Sequence, residues 1–180
     1  MVGDALLAAA GILHVTGHHL ADGADAARDL AALVERAHAQ GARVSISPGS
    51  AGVIADCGAD RVARAIAGAD LVFANLDEAV ALAGPGEPAA LAAALADRHG
   101  IAVLTRRSGD VLVAERGGAV GAVPVSAARV IDPTGAGDAL IAGFLEAWRD
   151  DPDPARAAEA GVRRASEAVA VLGGRPMVPR

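Results

Sequence analysis

The residues best equipped for chemistry form one short run, Asp132-Pro133-Thr134-Gly135-Ala136-Gly137-Asp138. The apolar pair Val130-Ile131 before it predicts the end of a strand. After it, Leu140, Ile141, Phe144, Leu145 and Trp148 recur at helical spacing and predict a helix over Ala139 to Trp148. The run is therefore expected to be a strand-to-helix turn. The first N–H groups of a helix have no partner inside it and carry partial positive charge, so such a turn suits an anion. Gly135, Ala136 and Gly137 place almost no bulk over those groups, which lets a phosphate oxygen come close. Asp138 adds a carboxylate that would repel a phosphate merely being held. It makes sense as a proton acceptor for an attacking hydroxyl, with the amides stabilising the group in transit. A plain glycine-rich helix start with an acidic first turn is the alternative. A dinucleotide fingerprint fits less well, because its third glycine is missing after Gly137.

Composition bounds the chain that must position this turn. Its 180 residues suffice for one domain with a real core, and 53% hydrophobic content with a mean hydropathy of +0.36 argues against disorder. No apolar run approaches the roughly 20 residues of a membrane span, and no charged-then-apolar leader is evident, so a cytoplasmic location without membrane partners is expected. Net charge −6 and 2% aromatic residues give neither a basic stripe nor a stacking platform for nucleic acid. Every Lys or Arg is an Arg, which excludes the phosphate-loop NTPases and their motif Lys. Cys57 stands alone, so no intrachain disulfide or cysteine zinc site is expected.

Along the chain, strand-like and helix-like stretches alternate, which predicts an α/β fold with a mostly parallel sheet. Strands are expected over Gly11 to Gly17, Arg43 to Pro48, Leu71 to Ala74, Ile101 to Thr105, Val111 to Glu115 and Val120 to Val125, the last at a sheet edge because of Pro124. Helices are expected over Ala24 to Gln40, from Asn75 through about Leu82, over Ala89 to His99, and from about Ala155 to Leu172. Two of these junctions carry further candidates. Asn75 with Glu78 three residues on is a helix-capping arrangement, and equally a pair that could organise a hydrated cation. Arg106 or Arg107, before Ser108-Gly109-Asp110, could meet a phosphate, although a solvated arginine pair is the plainer reading. His14, His18 and His19 are expected to be solvated or hydrogen-bonded histidines, because Gly17 breaks any face that would align them on a metal.

Asp132 to Asp138 and its continuation Ala139-Leu140-Ile141-Ala142-Gly143-Phe144 resemble the second signature of the ribokinase or PfkB-type carbohydrate kinases. Asn75-x-x-Glu78 resembles that family's Asn-x-x-Glu motif, in the expected order. The resemblance implies a ribokinase-like, Rossmann-like three-layer α/β sandwich and transfer of the ATP γ-phosphate to a sugar or nucleoside hydroxyl. It further implies Asp138 as catalytic base, Gly135, Ala136 and Gly137 as the anion hole, and Asn75 and Glu78 acting on magnesium and the phosphates through water. Thr105 to Asp110, with Asp132 and Thr134, would line the nucleotide, and a monovalent cation near Asp132 assists some relatives. The family's nucleotide loop usually reads Thr-x-Gly-x-x-Gly; here Thr105 matches, Arg107 and Asp110 replace its glycines, and Gly109 is displaced by one. Ser47 stands where the family often has Asp, and the tail Gly174-Arg175-Pro176 resembles its usual ending.

The resemblance covers residues 1–180 but only the later, nucleotide-binding part of the family. The Gly-Gly signature, most sugar-binding residues and the small β lid of complete relatives have no counterpart here. Either the chain is a truncated product, or its opening part was lost, or another polypeptide supplies it; a non-catalytic nucleotide-binding or scaffold remnant is the competing expectation. A doubly wound sheet without its first strands would expose a strand edge and an apolar helix face, so homo-oligomers or aggregates of the isolated chain are expected. Light scattering that finds a stable monomer at high concentration would overturn this.

Overall fold

The computed structural model describes residues 2–125 and 129–174; Arg175 and Pro176 of the tail motif lie outside them. The element order is α1 (Asp4–Ala10), β1 (Ile12–Thr16), a 3-10 turn (Gly17–Asp22), α2 (Ala24–Ala39), β2 (Arg43–Ser47), α3 (Ala51–Cys57), α4 (Ala59–Ala65), β3 (Leu71–Asn75), α5 (Leu76–Ala83), α6 (Pro88–His99), β4 (Ile101–Thr105), β5 (Val111–Glu115), β6 (Val120–Val123), α7 (Ala136–Asp150) and α8 (Pro154–Val169). The strands follow one another in the sheet as β1-β2-β3-β4-β5-β6, and the pairings from β1 through β4 are parallel. The expected α/β alternation is present. By compactness the chain divides into Met1–Arg106 with Ala114–Val120, and Arg107–Val113 with Gly121–Arg180.

In the first unit the central strands are near-continuous apolar runs, as a parallel sheet covered on both faces requires. Val44, Ile46, Leu71, Val72, Ala102 and Leu104 are fully buried. α2 turns Leu30, Val34 and Ala37 inward on one stripe, and α6 begins at Pro88 and stops at Gly100, whose positive φ of 79° only glycine takes readily. The ends of β1 and β2 are locked together, because a Cβ on Gly17 would lie 2.3 Å from the Pro48 carbonyl oxygen. Of His14, His18 and His19, two are hydrogen-bonded. His14 Nδ1 hydrogen-bonds Ser45 Oγ at 2.7 Å, His19 Nδ1 meets the Thr16 carbonyl at 2.8 Å, and no metal-binding cluster occurs among the described residues.

The second unit centres on the α7–α8 hairpin. Asp153 caps α8 by accepting from the Ala155 and Arg156 N–H groups, with Pro154 in the first turn. Leu140, Phe144, Trp148, Ala157, Ala158 and Val162 are buried, and the helices approach closely where Gly143 and Gly161 carry no side chain. The strand expected to end at Val130-Ile131 is not formed. Both side chains are more than half exposed, and the Ile131 and Asp132 N–H groups donate to the Val169 carbonyl. A helix end leaves its last carbonyls unpaired, and the Ile131 and Asp132 N–H groups satisfy one of them instead of joining a sheet. β6 likewise stops at Val123, since Pro124 has no N–H to continue a ladder. α8 ends at Val169, short of Leu172, while α7 starts earlier than expected, at Ala136. Among the described residues no single helix is long and apolar enough to cross a membrane.

A Cβ at residue 161 would lie 2.6 Å from the Leu140 carbonyl oxygen, a backbone atom that cannot swing away. Gly161→Ala is expected to force α8 off α7 and destabilise by about 1–3 kcal/mol, read as a lower denaturant midpoint with unchanged slope.

Candidate active site

The turn ahead of α7 is held from both sides. Asp132 accepts the Thr134 N–H at 2.9 Å on one carboxylate oxygen and the Gly173 N–H at 3.0 Å on the other. Gly135 caps α7 in the left-handed region at φ 80°, and a Cβ there would meet the Gly174 backbone at 3.1 Å. Glycine is needed at this position for both reasons. Around Gly137 the space is open, with nothing within 4 Å of a would-be Cβ.

The first-turn donors can be accounted for individually. The Ala136 N–H donates to the Pro133 carbonyl at 3.2 Å, and the Ala139 N–H to the Gly135 carbonyl at 2.9 Å. The Gly137 and Asp138 N–H groups have no such partner among the described residues. Asp138 is exposed, and among the described residues no hydrogen bond or ion pair engages its carboxylate. In front lies a hollow of about 710 Å³, lined by Gly135, Asp138, Gly143, Arg164, Val171 and Gly174 among others. Three carboxylates (Asp138, Glu146, Glu167) and one guanidinium (Arg164) line it, and Arg164 pairs with Glu146 at 3.6 Å and Glu167 at 3.4 Å. The lining is therefore net acidic, and a polyphosphate entering it needs accompanying cations. Arg164 was not legible as a lining residue, because only the α7–α8 packing brings it to Gly143.

Asn75 and Glu78 belong to the first unit and form a complete capping box at the start of α5. The Asn75 N–H donates to Glu78 Oε2 at 2.9 Å, its Nδ2 to Oε1 at 2.7 Å, and the Glu78 N–H to Asn75 Oδ1 at 2.9 Å. Burial is the largest influence on the Glu78 carboxyl and raises it above its ordinary 4.5, against the lowering hydrogen bond from the Asn75 backbone. Each Glu78 oxygen keeps acceptor capacity beyond the cap, which fits a hydrated magnesium bound through water. Thr105 is the register partner of Asn75 across β3 and β4, so both lie at the carboxyl ends of adjacent parallel strands. Thr105 and Arg106 fall in the first unit, and Arg107, Ser108, Gly109 and Asp110 in the second. Arg106, Arg107 and Asp110 each have an interaction partner.

A family model described as pfkB family carbohydrate kinase matches residues 3–180. No curated protein matches the sequence. An adenosine kinase from Sinorhizobium meliloti is similar with a TM-score of 0.87 at 26% identity, covering 98% of this chain and 54% of that one. A probable sugar kinase protein from Rhizobium etli CFN 42 gives 0.87 at 24% identity, with the same coverage of 98% and 54%. An adenosine kinase from Anopheles gambiae, solved in complex with a di(adenosine) tetraphosphate, gives 0.80 at 24% identity over 92% of this chain and 52% of that one. The chain thus spans about half the length of the solved structures it matches.

Hydrogen bonds from the Thr134 side chain, then from the Thr134 and Gly173 N–H groups, hold the Asp132 carboxyl below its ordinary 3.8. A depressed folded pKa means that the clamp contributes stability above pH 3.8, lost as pH falls through the lower folded value. The difference in melting temperature between the native chain and Asp132→Asn is expected to be constant near neutrality and to shrink below pH 3.8.

Proposed function

Since the chain belongs to the pfkB family of carbohydrate kinases, whose model it matches over residues 3–180, we propose that it carries the phosphoryl-transfer machinery of an ATP-dependent kinase acting on a sugar or nucleoside hydroxyl. The observation that carries this is the exposed Asp138 carboxylate beside the unspent Gly137 and Asp138 N–H groups, facing the α7–α8 hollow. A carboxylate with no competing partner is free to take a proton. Asp138 would accept it from the attacking hydroxyl, and of the expected Gly135, Ala136 and Gly137 amides the Ala136 N–H is spent on the Pro133 carbonyl, so the unspent Gly137 and Asp138 N–H groups would stabilise charge on the group in transit.

Magnesium, carried with the nucleotide, supplies charge neutralisation across the phosphates. Asn75 and Glu78 would orient its water shell, the Asn75 amide fixing the Glu78 carboxylate in place. Thr105, Arg106, Arg107, Ser108, Gly109 and Asp110 would line the nucleotide, with Asp132 and Thr134 shaping the turn. Its amides would then meet phosphate oxygens without side-chain bulk between them. The net acidic lining of the hollow supports dependence on a divalent cation. The similarity to adenosine kinases and a probable sugar kinase supports an alcohol acceptor of this class.

A second reading is favoured by length: a chain spanning 54% of its solved relative could retain nucleotide binding without turnover. Coupled ADP release with a panel of sugars and nucleosides separates the two. Transfer by the native chain is expected to fall roughly 10²–10⁴-fold in Asp138→Asn at unchanged melting temperature. Activity surviving that change would remove Asp138 as the base, and ATP binding without any ADP release would establish the scaffold reading.

A further inference from the structure

β1 is the first strand of the sheet, and among the described residues no strand lies on its outer side. Its burial differs from that of its neighbours. The middle residues of β2 and β4 and the first four of β3 are buried, whereas Ile12, Leu13, His14 and Val15 are all half-buried. Consecutive residues point to opposite faces of a sheet, so half-burial of all of them marks an open edge, not one face turned to water. The backbone agrees. The Arg43 N–H donates to the Gly11 carbonyl, and ladder groups alternate in direction along a strand, so Leu13 and Val15 turn theirs to β2 and Ile12 turns its own to the open side.

Sheets blunt an edge of this kind with Lys, Pro or a bulge. Ile12-Leu13-His14-Val15-Thr16 contains neither Lys nor Pro, and its β-branched residues suit further pairing. The other end of the sheet is blunted: β6 has only four residues, includes Gly121 and is followed by Pro124. α1 runs into β1 through Gly11 alone and leaves a second apolar surface uncovered. Leu7 is buried, and Arg36 fastens the helix to α2 through Asp4 and the Val2 carbonyl. Leu6 is 63% exposed, and Ala5, Ala8, Ala9 and Ala10 are exposed with it.

We infer that the open edge of β1, together with the exposed side of α1, is an interface that takes a second copy of this chain. A strand edge binds another strand through backbone groups, and what flanks it chooses the partner. Charge makes that choice here. Asp4 is the one charged residue of α1 and is matched by Arg36, β1 carries no carboxylate or guanidinium, and the His14 ring is engaged by Ser45 of its own chain. The surface therefore meets its own image without like-charge repulsion, and it offers a charged partner nothing to pair with. A two-fold axis perpendicular to the sheet makes the paired strands antiparallel, with Ile12 opposite Thr16 of the second copy and Leu13 opposite Val15. The same axis keeps both α1 helices on one side of the joined sheet. Because the β6 end is blunted, assembly closes at two copies and does not propagate. None of this depends on the kinase reading.

Sedimentation velocity on the full chain from about 1 to about 200 µM is expected to show a monomer–dimer equilibrium, the weak association of a small interface. Leu6→Glu and Ile12→Lys set like charges against each other across the axis, and each is expected to raise the dissociation constant about tenfold or more. The melting temperature of Leu6→Glu at about 1 µM should match the native chain, since Leu6 is exposed. Hydrogen exchange reads the same contact without a substitution: the Ile12 amide is expected to exchange about tenfold more slowly at the high concentration than at the low one, while β3 keeps its rate. A chain that stays monomeric throughout overturns the inference, as does an aggregate that grows without limit. Dimers that neither variant weakens and that leave Ile12 unprotected join by another surface, and they overturn it too.

Discussion

The candidate site depends first on a single carboxylate. Asp132 accepts N–H groups from Thr134, two residues on, and from Gly173, 41 residues on, so it closes the turn locally and ties it to the chain beyond α8. Ile131 and Asp132 reinforce the tie by donating to the last turn of α8 at the Val169 carbonyl. With the turn fastened at both ends, Gly135 sits in its left-handed conformation against the Gly174 backbone, and the Gly137 and Asp138 amides keep no partner among the described residues. The placement of the unspent amides at the helix start rests on this fastening as well as on the glycines.

The first unit solves a different problem by repetition. Where paired parallel strands end at the same level, polar residues at their last positions line up without any loop having to carry them. Asn75 and Thr105 show this in their register, and Thr16 and Ser47 repeat it. The fully buried apolar residues behind them, Leu71, Val72, Ala102 and Leu104, fix the strands rigidly. Strand-borne groups are in this way positioned more firmly than groups on the Arg106 to Asp110 loop.

Much of this was legible in the sequence, because its signals are local. Apolar runs of five residues between glycines and prolines identified β1 to β5, and the stripe of Leu30, Val34 and Ala37 identified α2. The Asn75-Glu78 box was legible as a cap because both partners lie within one turn. Elements set by distant packing were not. The seven-residue helices Asp4–Ala10, Ala51–Cys57 and Ala59–Ala65 are too short and alanine-rich to show a period, and the 3-10 turn at Gly17 follows from the close approach to Pro48. Val130-Ile131 misled because two apolar residues predict a strand only if a neighbouring strand is there to receive them. The Asp132–Gly173 bond and the place of Arg164 beside Gly143 both require the α7–α8 hairpin to be folded.

The two groups of acidic candidates differ in what else they do for the molecule. Glu78 closes α5 through its hydrogen bonds with Asn75, so it holds local structure whatever else it does. Asp138 closes nothing and braces nothing among the described residues. Replacing Glu78 therefore costs α5 its cap as well as any chemistry, whereas replacing Asp138 removes no hydrogen bond from the fold.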